Sequence, residues 1–92
     1  MLVKYNTIQV NKTASGYEII FPVGSRWYRL SWDLVPDRFK QLYVVDLKLR
    51  GVSVPDFLAS YNTDPVEIGD ATVDIDLSLC DEVPEDYPVS LA

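Results

Sequence analysis

The chain contains no histidine, one cysteine and, over residues 51–92, no lysine or arginine. Each absence removes a class of chemistry. Without histidine, the side chain that ordinarily carries protons near neutral pH is missing. A single cysteine, Cys80, excludes an intrachain disulfide and a cysteine-based zinc site. Acids flank Cys80 in sequence and no cation does, a setting that disfavours a thiolate nucleophile. Neither a glycine-rich phosphate loop nor a Gly-x-Ser-x-Gly elbow occurs. No apolar run approaches the ~18 residues a membrane helix needs, and Met1 is not followed by the basic and apolar regions of a signal peptide. The expectation is a cytoplasmic protein that is not an enzyme, uses no cofactor or metal and avoids membranes.

The charge that is present is unevenly placed. Residues 1–50 carry all eight cations and four acids, for +4; residues 51–92 carry ten acids, for −10. Pairing between the halves still leaves six acids in excess, and that surplus faces solvent, a cation or a basic partner. It repels a nucleic-acid backbone, whose binding requires clustered Lys and Arg. Solubility alone accounts for such a surplus equally well. The 92 residues make one domain, read as an α+β unit over 1–80 followed by an acidic, proline-containing tail over 81–92.

The first third reads as an antiparallel meander. Over residues 2–11, Val3 and Tyr5 share one parity and Ile8 and Val10 the other, so a bulge or bend is expected near Asn6-Thr7. Residues 17–23 place Tyr17, Ile19, Phe21 and Val23 on one face, with Pro22 at a bulge or facing outward from an edge. Gly24-Ser25 fits a two-residue hairpin turn. Residues 26–32 then put Tyr28, Leu30 and Trp32 inward and Trp27 and Arg29 outward. Pro36-Asp37 opens a helix that runs to Arg50 and stops at Gly51. Residues 43–50 also alternate as a strand would, and Asp46 falls inside the apolar arc of the helix, so an all-β fold is the alternative. A second short helix is expected over Val54–Tyr61, with Phe57, Leu58 and Tyr61 inward. Asn62-Thr63-Asp64-Pro65 reads as a turn. Residues 71–80 alternate most cleanly of all, with Val73, Ile75, Leu77 and Leu79 on one face, and are expected to rejoin the sheet as a C-terminal strand.

Two constellations point toward a binding surface. Asp74 and Asp76, on one face of that strand, would lie about 6.5–7 Å apart, close to two phosphate steps of about 3.4 Å along one DNA strand. With Asp70 and the tail acids Asp81, Glu82, Glu85 and Asp86, they would offer a phosphate-like row to a basic, nucleic-acid-binding protein. A metal bridged by Asp74 and Asp76 is the weaker account, because the spaced ligand loop of a calcium site is missing. On the positive half, Trp27 and Arg29 belong to the residue types most enriched at binding hot spots, unless a helix covers their face. The sequence therefore reads as a small acidic protein-binding module, an inhibitor or adaptor of the size found among mobile genetic elements. The alternative is a structural, self-associating protein whose basic and acidic halves meet between subunits.

Overall fold

The alternation of Tyr17, Ile19, Phe21 and Val23 with Glu18, Ile20 and Pro22 assigns each set to one face of a strand. In the computed structural model, which describes residues 1–61 and 67–87, that strand is the interior member of a sheet. The strands are β1 (Leu2–Lys4), β2 (Gln9–Thr13), β3 (Gly16–Val23), β4 (Arg26–Ser31), β5 (Thr72–Asp74) and β6 (Asp81–Val83). One α-helix, α1 (Asp37–Leu49), follows β4. All pairings are antiparallel: β2-β3-β4-β6 form one sheet, and β1-β5 a smaller one. The fold is α+β, as the sequence predicts.

The break in parity near Asn6 is a 3₁₀ turn over Tyr5–Thr7, not a bulge within one strand. Thr7 Oγ1 donates to the Lys4 carbonyl at 2.8 Å, and the Ile8 N–H to the Tyr5 carbonyl at 3.0 Å. This turn sends β1 to the small sheet and β2 to the large one, so the predicted strand over residues 2–11 is two strands. The β3–β4 hairpin turns on Gly24 at φ 60°, with Val23 opposite Arg26. Pro22 sits opposite Trp27 and past Ile20, the last residue that β2 pairs with, so its missing N–H leaves no ladder bond unmade.

Over residues 43–50 the helix prevails. Gly51 at φ 70° closes it, its N–H bonded to the Lys48 carbonyl at 3.1 Å and the Val52 N–H to the Leu47 carbonyl at 2.9 Å, the two bonds of a Schellman stop. Phe39 and Leu42 share one buried cluster with Ile19, Phe21 and Leu30 of the large sheet, Val3 and Val73 of the small one, and Ile75 just beyond β5. Asp46, which argued against a helix, accepts a hydrogen bond from the Tyr5 hydroxyl at 2.8 Å and faces Arg50 Nε at 3.4 Å. Its place in the apolar arc is where the helix meets the buried phenol.

Two predicted elements shrink. Only Asp56–Leu58, a 3₁₀ turn, stands where a helix over 54–61 was expected. Leu58 is fully buried, whereas Phe57 keeps 44% of its surface exposed and stacks on Tyr17 at 4.9 Å. One inward anchor on a segment this short does not offset the cost of nucleating an α-helix. The predicted strand over 71–80 is shorter than expected: its ladder with β1 ends at Asp74, opposite Leu2, where β1 begins, with Ile75 still bonded to Met1. Beyond it, Asp76 Oδ1 accepts from the Ser78 N–H at 3.0 Å and the Ser78 hydroxyl at 2.7 Å, bonds that compete with a ladder. The chain turns through Leu77–Leu79, and the strand that joins the large sheet is β6, the first three residues of the expected tail. The turn at residues 62–65 and the tail positions Val89 and Leu91 lie outside the described residues.

Replacing Tyr5 by Phe should lower the unfolding free energy by about 0.5–1.5 kcal/mol, and Asp46→Ala, which strands the buried hydroxyl, by about 1–3 kcal/mol. Urea denaturation at neutral pH checks both, with unchanged slope and a larger midpoint shift for Asp46→Ala.

Candidate functional site

Register puts Glu18, Ile20 and Pro22 of β3 and Trp27, Arg29 and Ser31 of β4 on the sheet face opposite α1. The prediction that Trp27 and Arg29 share this outer face holds, and α1 lies on the other side. Trp27 is half-buried, with Pro22 and Val83 as its cross-strand neighbours. Arg29 is engaged twice: Nε donates to Glu18 Oε1 at 2.7 Å and Nη1 to Asp81 Oδ2 at 2.8 Å. Glu18 is only 1% exposed. Asn11 Nδ2 donates to its Oε2 at 3.0 Å, and the Tyr87 hydroxyl to its Oε1 at 3.3 Å. Burial pushes the Glu18 carboxyl up, but the hydrogen bonds from Asn11, Arg29 and Tyr87 outweigh it and hold the group below its ordinary value.

The expected acidic row is divided between the two sheets. Asp74 ends β5 and pairs with the Met1 amino group at 2.6 Å. Asp76 is fixed on Ser78, whose hydroxyl and N–H hold its carboxyl below the usual range. On the large sheet, Asp81 meets Arg29 and Glu82 faces Arg26 at 3.4 Å. Glu85 and Asp86 follow in an exposed turn closed by the Tyr87 N–H on the Pro84 carbonyl. Asp70, Glu85 and Asp86 have no hydrogen bond or ion pair among the described residues. The ladder ends at Asp74, but Ile75 is buried and Asp76 stays exposed in extended backbone at φ −84° and ψ 106°, so the two carboxylates keep the same outward parity. No cluster of three or more His, Cys, Asp or Glu side chains among the described residues is arranged to hold a metal. Burial, then Asp76 and Asp81, push the Cys80 thiol up, away from the thiolate a nucleophile needs.

A groove of about 600 Å³ lies elsewhere, between Tyr5–Val10 and the second half of α1, lined by Tyr5, Asn6, Ile8, Val10, Tyr43, Asp46, Arg50, Ile68 and Gly69. The tyrosines here are pushed up, Tyr5 first by burial and then by Asp46, and Tyr43 first by burial. The groove offers both hydrogen-bonding and apolar walls. Its sequence signal was Asp46 in the apolar arc, although nothing in the sequence linked that position to Tyr5. No helix among the described residues is long and apolar enough to cross a membrane. Comparison with family models, curated proteins and solved structures finds no match to this chain.

Two outcomes test the outer-face network. Arg29→Ala strands the buried Glu18 carboxylate and should cost about 3 kcal/mol, the lower end for a buried pair because Arg29 keeps part of its surface in water. Since the folded state holds Glu18 below its ordinary value of 4.5, the unfolded chain takes up that proton first on acidification. The stability it contributes is therefore complete above 4.5 and lost as pH falls through the lower folded value. Urea midpoints followed from neutral to acid pH should show this loss, and Glu18→Gln should flatten it.

Proposed function

We propose that the protein is a non-enzymatic acidic module that binds a basic protein, of the kind that itself binds nucleic acid, and acts on it as an inhibitor or adaptor. The observation that supports this reading is how little of the charge asymmetry folding consumes. Among the described residues, the acids of the second half meet cations only at Arg26, Arg29 and the Met1 amino group. Asp56, Glu67, Asp70, Asp76, Glu85 and Asp86 enter no ion pair there. Lys4, Lys12, Arg38 and Lys48 are exposed on the first half without neutralising them. An uncompensated acidic surface steers a basic partner toward it and rejects nucleic acid.

Position matters beside charge. The turn that carries Glu85 and Asp86 continues from β6, the outermost strand of the large sheet among the described residues. Acids at a sheet edge discourage indiscriminate strand pairing, so a partner meets a surface selective for basic groups.

The test uses the purified chain and a variant with Asp70→Asn, Glu85→Gln and Asp86→Asn, which removes charge without touching an internal ion pair or the Asp76–Ser78 hydrogen bonds. Asp74 and Glu82 stay intact because each holds part of the fold together. A basic protein captured from the native host should bind the variant at least about tenfold more weakly and show a steeper loss of binding to the parent chain with added salt. Equal affinity for the two chains would refute the reading.

A further inference from the structure

β6 is three residues long, and a short antiparallel ladder and two side-chain ion pairs join it to β4. Asp81 and Glu82 leave 72% and 56% of their side chains exposed, and Val83 is half-buried opposite Trp27. Besides the ladder, the side-chain contacts at the strand among the described residues include Arg29 on Asp81, Arg26 on Glu82 and, beyond the strand, the Tyr87 hydroxyl on Glu18.

The place where β6 docks is complete without it. Arg29 Nε is oriented by Glu18 within the β3–β4 hairpin, and Glu18 is held from its far side by Asn11 of β2. Residues 9–31 thus supply a preorganised edge that reads an antiparallel segment by register: an acid opposite Arg29, a second acid opposite Tyr28 within reach of Arg26, and an apolar residue opposite Trp27. The segment is joined to β5, in the other sheet, by Ile75–Cys80; Ile75 is buried and bonded to Met1, Leu77 and Cys80 pack against the core, and the hydrogen bonds of Asp76–Cys80 are local: Ser78 on Asp76, and the turn bonds closing on Asp76 and Leu77. Extended, those five residues span about 17 Å, enough to carry β6 away from its own sheet.

From this geometry we infer that the β4 edge accepts β6 from a second copy of the chain, giving a reciprocal, strand-exchanged dimer. A second copy satisfies the register by identity, and the symmetric exchange forms every contact of the docked strand twice. Charge selects exchange over simple edge-to-edge association, since two β6 strands placed side by side would bring Asp81 and Glu82 against their own kind. The positive residues of one subunit's first half then meet the negative residues of the other's second half. The inference is independent of the basic-partner reading, because it uses none of Asp70, Asp76, Glu85 or Asp86 as a binding group.

The test reverses the exposed Arg26–Glu82 pair in separate chains. Arg26→Glu alone and Glu82→Lys alone each set like charges against each other, both within one chain and in a homodimer. An equimolar mixture restores opposite charges at both sites of an exchanged heterodimer. Each sample is acidified briefly to protonate the carboxylates that hold β6, neutralised at high protein concentration, and measured by light scattering and native mass spectrometry. The mixture should contain at least about fivefold more dimer than either variant alone, in heterodimeric form, while the single chain carrying both Arg26→Glu and Glu82→Lys behaves as the parent. A monomeric mixture, or dimers equally abundant in the mixture and in each variant, would overturn the inference.

Discussion

A carboxylate almost sealed from water survives only where donors replace the hydration it has lost, and Glu18 has three. The donors explain much of the architecture. Asn11 comes from β2, Glu18 lies on β3, Arg29 on β4, and Asp81, the second acid on Arg29, on β6. Every strand of the large sheet contributes one member, and Tyr87 adds the turn that follows. Among the described residues no helix lies over this face, yet Ile20 is as completely buried as the residues facing α1. Breaking the Arg29–Glu18 contact therefore does more than remove one ion pair; it loosens a polar link that all four strands share.

The opposite face of the sheet is organised by apolar contact, with a polar joint at one end. Phe39 and Leu42 supply the area, but area does not specify where along its axis the helix sits, since neighbouring turns offer similar side chains. Tyr5 does. Its ring lies 5.3 Å from that of Phe39, and its hydroxyl reaches Asp46, two turns further along the helix. This contact sets the axial position of α1 against the turn that separates β1 from β2. Without Asp46 the Tyr5 hydroxyl would be buried with no acceptor, which is why the one acid in the apolar arc of the helix is compatible with it.

Local pattern made some of this readable from sequence and not the rest. The parity of Tyr17–Val23 and Tyr28–Trp32, the Gly24-Ser25 turn and the Gly51 stop depend on residues within a few positions of one another, and they are found as expected. The pairing of Leu2–Lys4 with Thr72–Asp74 joins segments about 70 positions apart in the sequence. No periodicity encodes such a pairing, and the ladder of β5 ends at Asp74, opposite Leu2, where β1 begins. The same limit applies to the outer-face network. Glu18, at the outward parity of an alternating strand, has the local signature of a solvent-facing acid, and its burial follows from partners at positions 11, 29 and 87. Trp27 and Arg29 were legible as residues of one outer face, whereas the engagement of Arg29 with Glu18 and Asp81 was not.

The acids of the second half, a single class by composition, carry out two kinds of work by position. Asp74, Asp81 and Glu82 sit where a cation of the fold reaches them, and Asp76 where it arrests a strand. For these, charge is part of how the chain folds. The carboxylates of Asp56, Glu67, Asp70, Glu85 and Asp86 satisfy nothing in the fold among the described residues, and like-charge repulsion among such groups opposes compaction. The distinction changes how the −10 of residues 51–92 is to be understood. A substitution series that treats these acids as one surface would confound loss of structure with loss of binding, because Asp74 and Glu82 belong to the first set. The free set is smaller than that surface and lies on two separate stretches among the described residues, Asp56, Glu67 and Asp70 before β5 and Glu85–Asp86 after β6. A partner that uses both stretches must span the small sheet and the edge of the large one, whereas a partner confined to one stretch must take its specificity from neighbouring uncharged groups.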